Sequence, residues 1–141
     1  RKTLKTFQDG AERVLPKIRS SSIDLIVSSP PYFDLERYGE SAHESRGQIW
    51  KEVDTHEEFL SKFLEPVLHH CARILTPHGV LAINVDDNPR KGIRLCKPVL
   101  DILRNRLTVL GTAGLRKGKG YENMHGESLA RAEPIYLFTR R

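Results

Sequence analysis

Ile23-Asp24-Leu25-Ile26-Val27-Ser28 runs directly into Ser29-Pro30-Pro31-Tyr32, and the junction decides how the rest of the chain is read. The first six residues predict a strand of the nearly continuous apolar kind that is covered on both faces in a parallel sheet. Two prolines end it. Each lacks an N–H, fixes φ and pushes the preceding residue into extended geometry, so the turn is stiff and its carbonyls have no ladder partners. From average residue usage, a Ser-Pro-Pro-Tyr string arises by chance on the order of once in a thousand chains of this length. Its position at the end of a buried-type strand makes chance a poorer account still.

Working outward, Leu4-Lys5-Thr6-Phe7 predicts a short strand, and Asp9 is placed to cap a helical segment over residues 11–15 that Pro16 cuts short. Downstream, residues 33–54 are polar and irregular, long for a structureless connection, as functional loops are. Thr55-His56-Glu57-Glu58 has the form of a capping box, and Phe59, Leu60, Phe63, Leu64, Val67, Leu68, Cys71, Ile74 and Leu75 form a helical stripe behind it. Thr76-Pro77-His78-Gly79 stops that helix. Residues 80–85 predict a third buried strand leading into Asp86-Asp87-Asn88-Pro89. A further helix is expected over residues 98–106, then strands over 107–115 and 134–139. Strands alternating with helices predict an α/β sheet, mainly parallel, with antiparallel pairing near the C-terminal end. All 141 residues are read as one domain, since no internal repeat or dividing linker is present.

Composition narrows the function classes. A formal net charge of +5 favours a polyanionic partner, and the densest basic loop, Arg116-Lys117-Gly118-Lys119-Gly120-Tyr121, has the charge, flexibility and aromatic of a phosphate-tracking segment. A solvated loop is an equally good account of it. No apolar run is long enough to span a membrane and no signal-peptide core follows Arg1, so an intracellular protein is expected. Cys71 and Cys96 lie in amphipathic patterns and read as reduced thiols. His69, His70 and Cys71 are adjacent, point to different sides of a helix and predict no metal site. Hydrolase elbows and phosphate-loop lysine motifs are absent from the sequence.

Open α/β sheets bind ligands beyond the carboxyl ends of their strands. Three polar clusters fall there: Gln8-Asp9-Gly10, Ser29-Pro30-Pro31-Tyr32 and residues 84–88. Asp9 alone can be a helix cap, and Asp86-Asp87 a solvated loop; it is the coincidence of the three that marks a site.

The proline turn resembles the signature, [Ser/Asp/Asn]-Pro-Pro-[Tyr/Phe/Trp], of the amino-methyltransferases that modify the exocyclic nitrogen of cytosine or adenine in DNA with S-adenosylmethionine. Arg37-Tyr38-Gly39, Leu75-Thr76-Pro77-His78-Gly79-Val80-Leu81 and Glu133-Pro134-Ile135-Tyr136-Leu137-Phe138 follow in that family's order, so the likeness covers most of the chain. The resemblance implies a Rossmann-like methyltransferase sheet and catalysis by Ser29, Pro30, Pro31 and Tyr32. Ser29 Oγ and the Pro30 carbonyl would accept from the amine, and Tyr32 would stack on a base taken out of the duplex. It implies contacts from Asp9, Ser28 and Ser29 to S-adenosylmethionine, with DNA met by Arg37, Tyr38, Arg116, Lys117 and Lys119. The Ser form of the signature is commoner among cytosine-N4 enzymes, with adenine N6 as the alternative. A catalytically inactive nucleic-acid-binding module is the reading from another class.

Two family parts have no match in these residues: the glycine-rich cofactor loop, resembling Asp-Pro-Phe-x-Gly-Ser-Gly, and a target-recognition domain. The sheet is therefore expected to be incomplete, and the chain to be the catalytic half of a permuted enzyme. A fragment, one half of a split enzyme and a degenerate module all satisfy that pattern, and each predicts weak binding of S-adenosylmethionine by these residues alone.

Overall fold

A computed structural model describes residues 4–31, 33, 53–115 and 133–140. The chain forms a four-stranded sheet of β1 (Ile23–Ser28), β2 (Leu75–Asn84), β3 (Thr108–Leu115) and β4 (Glu133–Thr139), ordered β1-β2-β4-β3. β1 pairs with β2 in parallel, while β4 runs antiparallel to both β2 and β3. Three strands thus share one direction and β4 opposes them, so the α/β sheet is mixed among the described residues, with one parallel and two antiparallel pairings and the reversed strand near the C-terminal end as predicted above.

The helices are α1 (Ala11–Val14), α2 (His56–Phe59), α3 (Glu65–Ile74) and α4 (Cys96–Arg104). Thr55 Oγ1 accepts from the Glu58 N–H (3.1 Å), and a Glu58 carboxylate oxygen accepts in return from the Asp54 N–H (2.9 Å). Thr55 therefore starts α2 as its spacing predicts, although the reciprocal bond falls one residue before the cap. Leu60–Leu64 joins α2 to α3 as a π-helical turn. Pro66 explains it: proline has no N–H for the Lys62 carbonyl, and its ring would crowd that carbonyl in a regular turn.

The core lies between the helices and one face of the sheet. Phe59, Leu64, Leu68, Leu81, Val99 and Phe138 are among its fully buried side chains. Along β2 and into the residue after it the buried residues alternate, with Leu81, Ile83 and Val85 turned inward and Val80, Ala82 and Asn84 partly exposed, the period expected of a strand with one covered face.

Several expectations are corrected. Residues 4–7 form no strand; Leu4 and Phe7 are exposed, because a strand needs a partner and nothing among the described residues pairs with them. β1 occupies its expected residues but is not covered on both faces. It is an edge strand among the described residues, with Leu25 60% and Val27 74% exposed. Asp9 does not occupy the cap of α1: Gly10 does, without a side-chain bond. Thr76-Pro77-His78-Gly79 does not separate helix from strand, since β2 begins at Leu75 and carries these residues as an irregularity. His78 adopts φ 65°, and a Cβ on Gly79 would lie 2.9 Å from the Thr76 carbonyl oxygen and 3.1 Å from that of Ile23, so glycine is required by close approach. α4 begins at Cys96 and ends at Arg104, two residues earlier at each end than its apolar spacing indicates. Among the described residues no helix is long and apolar enough to cross a membrane.

Candidate active site

The register Ser28↔Ile83 brings the carboxyl ends of β1 and β2 side by side. The Ser29 hydroxyl donates to Asn84 Oδ1 (3.5 Å), and Asn84 Nδ2 donates to the Pro134 carbonyl (3.0 Å), so the ends of three strands meet through two side chains. The Ser29 contact is long for a hydroxyl hydrogen bond. Ser29 is exposed, Pro30 is buried and Pro31 partly so. The turn is anchored beyond the prolines: the Phe33 ring packs edge-on against His56 (5.8 Å between centroids) and against Phe59 (5.9 Å), which contacts Phe63 (5.4 Å). A stiff proline pair held between a strand and an aromatic cluster keeps Ser29 in one place.

The acidic cluster following β2 is structural in part. Asp87 Oδ1 accepts from the backbone N–H groups of Leu95 (2.8 Å) and Cys96 (2.9 Å), capping α4 from across a loop. Burial opposes its charge, but the Cys96 and Leu95 N–H groups outweigh burial and hold the Asp87 carboxyl below the usual value. Cys96 Sγ donates to the Val85 carbonyl (3.6 Å). Burial, and then the bond with Cys96, pushes Tyr136 up to about 12, so Tyr136 is a neutral phenol beside the strand ends. Cys96 is only half-buried, whereas Cys71 lies in the core.

Asn84 lies within the polar cluster 84–88 that the sequence places at the strand ends, though with no role of its own, and Tyr136 is absent from the sequence-based site. The available signal was a polar residue closing an apolar run at Asn84; nothing in the sequence distinguishes Tyr136. Of the sites that were expected, Ser28 and Ser29 lie together at the end of β1. Asp9 Oδ1 is engaged by the Gly10 N–H (2.8 Å) and by the Arg13 guanidinium. Arg13, followed by Gly10, holds the Asp9 carboxyl below its ordinary value. Tyr32, Arg37, Tyr38, Arg116, Lys117 and Lys119 lie outside the described residues. The stretch carrying the last three is flanked by the paired residues Leu115 and Glu133, at the same end of the sheet as Ser29.

The fit to a nucleoside-sized methyl donor is poor with these residues alone. Asp9 is exposed and already paired with Arg13, and Ser28 and Ser29 border the open edge of β1, so they offer one side of a pocket and no opposite wall among the described residues. What they can do is hold a polar group against Ser29.

The model of the family described as DNA methylase matches residues 23–141. The chain belongs to the DNA methylase family. This methylase chain is 35% identical over 88 residues to the type II methyltransferase M.XycI of Xanthomonas campestris pv. cyanopsidis, a match covering 62% of the chain and 27% of that protein. It is 31% identical over 91 residues to M.MthZI of Methanothermobacter thermautotrophicus, covering 60% and 25% respectively. Among solved structures it superposes on TTHA0409 of Thermus thermophilus, assigned as a DNA modification methylase, with TM-score 0.64 and 23% identity over 94% of the chain and 50% of that structure. It also superposes on the cytosine-N4-specific PvuII DNA methyltransferase with TM-score 0.61 and 15% identity, covering 94% of the chain and 48% of that one. The fold of the methylase is therefore the Rossmann-like methyltransferase sheet, and the chain spans about half the length of these structures and about a quarter of the two relatives.

Proposed function

We propose that the chain is the amine-binding part of a DNA methyltransferase that modifies the exocyclic nitrogen of an extruded base, cytosine N4 in preference to adenine N6. The observation that carries the reading is the Ser29 hydroxyl held at the strand end by Asn84, directly before Pro30. An exocyclic amine is a poor nucleophile because its lone pair is delocalised into the ring, so a site must favour a pyramidal nitrogen through acceptors placed on its hydrogens. With its own proton directed at Asn84 Oδ1, Ser29 Oγ keeps its lone pairs for an amine N–H. The Pro30 carbonyl is the second acceptor, and Tyr32 the stacking platform for the base.

S-adenosylmethionine is the donor, as in the complex reported for TTHA0409, and supplies a methyl group on an already activated sulfonium. Its remaining wall belongs to a cofactor-binding half that pairs with β1, in the same polypeptide or another; the exposed Leu25 and Val27 at that edge support this arrangement. The type II relatives suggest a restriction-modification setting and a cytoplasmic location.

Transfer of labelled methyl from S-adenosylmethionine to duplex DNA, assayed with the complete product of the reading frame and read by nucleoside mass spectrometry, tests this. N4-methylcytosine is the expected product. N6-methyladenine overturns the base assignment, and no methylated base at all leaves only a binding module.

A further inference from the structure

Between β2 and α4 the chain makes a closed loop whose outer side is basic. Arg90, Lys91 and Arg94 are all exposed, within five residues. The loop is closed at three levels: Asn88 and Ile93 exchange both backbone bonds (2.9 and 3.0 Å), Asp87 caps Leu95 and Cys96, and Cys96 Sγ reaches back to Val85. Ile93 and Leu95 are buried and alternate with Arg94, so the cation between them is turned outward by the packing of its neighbours. Gly92 makes the reversal at φ +70°, and a Cβ there would meet nothing within 4 Å, so the space above the turn is open.

Asp87 offsets Arg94 only in part. Asp87 spends one oxygen on the first backbone N–H groups of α4, and its ion pair with Arg94 is 3.6 Å long, with the Arg94 side chain 63% exposed. Such a pair is loose and screened. The loop leaves β2 just beyond Asn84, the partner of Ser29, and six residues of chain reach at most about 20 Å. A base held at Ser29 stays covalently tied to its backbone, so its flanking phosphates must pass over the mouth of that site.

We infer that the loop carrying Arg90, Lys91 and Arg94 is a phosphate-binding element that grips duplex DNA beside the extruded nucleotide. The inference rests on the DNA reading above and adds an interface to it. Its ligand is the sugar-phosphate backbone, so it contributes affinity and register without sequence preference. Each phosphate neutralised releases counterions, which makes the contact measurable as salt dependence.

The test is fluorescence anisotropy of a short labelled duplex with the complete product of the reading frame, titrated at several salt concentrations. Arg90→Gln/Lys91→Gln/Arg94→Gln is expected to weaken binding and to flatten the slope of log K against log salt by about 2 to 3, close to 0.9 per cation. The charge-keeping variant Arg90→Lys/Lys91→Arg/Arg94→Lys should retain the slope, which separates lost charge from a misfolded loop. An unchanged slope in the Gln variant, loss of slope in the charge-keeping one, or no DNA binding by the unaltered protein overturns the inference. Failure of the methyltransferase reading is distinct from these: the duplex is then bound with this loop-dependent slope but no labelled methyl is transferred to it.

Discussion

The Ser29 hydroxyl and the Asn84 side chain meet across the ends of two parallel strands at 3.5 Å, and Asn84 is held in turn by the Pro134 carbonyl at 3.0 Å. An amide can both accept from a hydroxyl and donate to a carbonyl, and this one does both. It cannot take a proton away. Asn84 is thus suited to aim the Ser29 hydroxyl and unsuited to serve as its base.

If Ser29 acts on the amine and Asn84 only aims it, their effects must overlap. Ser29→Ala should lower single-turnover methyl transfer by about 10²–10³-fold, the scale of losing one preorganised polar contact to a reacting group. Asn84→Ala should cost about 10-fold, corresponding to one modest hydrogen bond. The double variant should be no slower than Ser29→Ala alone. Losses that multiply would show that the two residues act independently, and a Ser29→Ala enzyme with normal transfer would remove Ser29 from the chemistry.

Arg140, at the opposite end of the sheet, closes the fold. One guanidinium nitrogen donates to the carbonyls of Leu75 (2.8 Å) and Arg73 (3.1 Å) and to Ser21 Oγ (2.8 Å), tying the end of β4 to the end of α3 and to the turn before β1. Arg140→Met keeps much of the stem and strands these acceptors. Urea denaturation should show a loss of about 3 kcal/mol with unchanged dependence on denaturant, within the range for charged hydrogen bonds. A loss below about 0.5 kcal/mol would mean that water replaces the guanidinium there.

How far the sequence discloses this arrangement depends on where each interaction lies. β1 was legible to the residue because its apolar run is bounded by Ser22 and by two prolines, both local signals. The start of α2 was legible for the same reason, through Thr55 and Glu58. The exposure of Leu25 and Val27 was not, because burial of a strand depends on neighbours that its own sequence does not describe. The Asp87 cap of α4 spans eight and nine residues, and the Ser29 to Asn84 contact spans fifty-five, so neither has a spacing rule to betray it. The Ser29-Pro30-Pro31 turn is legible from its own residues, whereas the pairing of Ser29 with Asn84 needs the sheet.

Cys71 gives the fold a pH dependence. Burial pushes its thiol from 9.0 up to about 11 in the folded chain. A folded value above the unfolded one means that the unfolded chain releases its proton first as pH rises. The stabilising effect of the buried neutral thiol is therefore complete below pH 9 and is lost between about 9 and 11. At the upper end the difference amounts to roughly 2–3 kcal/mol. Urea midpoints measured from pH 8 to 11 should fall more steeply for the unaltered chain than for Cys71→Ala, whose overall stability is lower but whose decline is shallower. Parallel curves would sink the assignment.

The open edge of β1 yields the last expectation. Leu25 and Val27 are 60% and 74% exposed on a strand whose outer backbone groups face no described partner, an arrangement that recruits another strand. The 141 residues on their own should therefore self-associate with increasing concentration in sedimentation velocity. Val27→Lys places a charge on that edge and should return the chain to a monomer while leaving its far-ultraviolet dichroism intact, because Val27 contributes little to the core. If the proposed cofactor-binding half docks on this edge, the same substitution should instead weaken S-adenosylmethionine binding in the complete product. A 141-residue chain that stays monomeric, or a complete protein whose calorimetric S-adenosylmethionine affinity is indifferent to lysine at position 27, would show that the edge is covered in some other way.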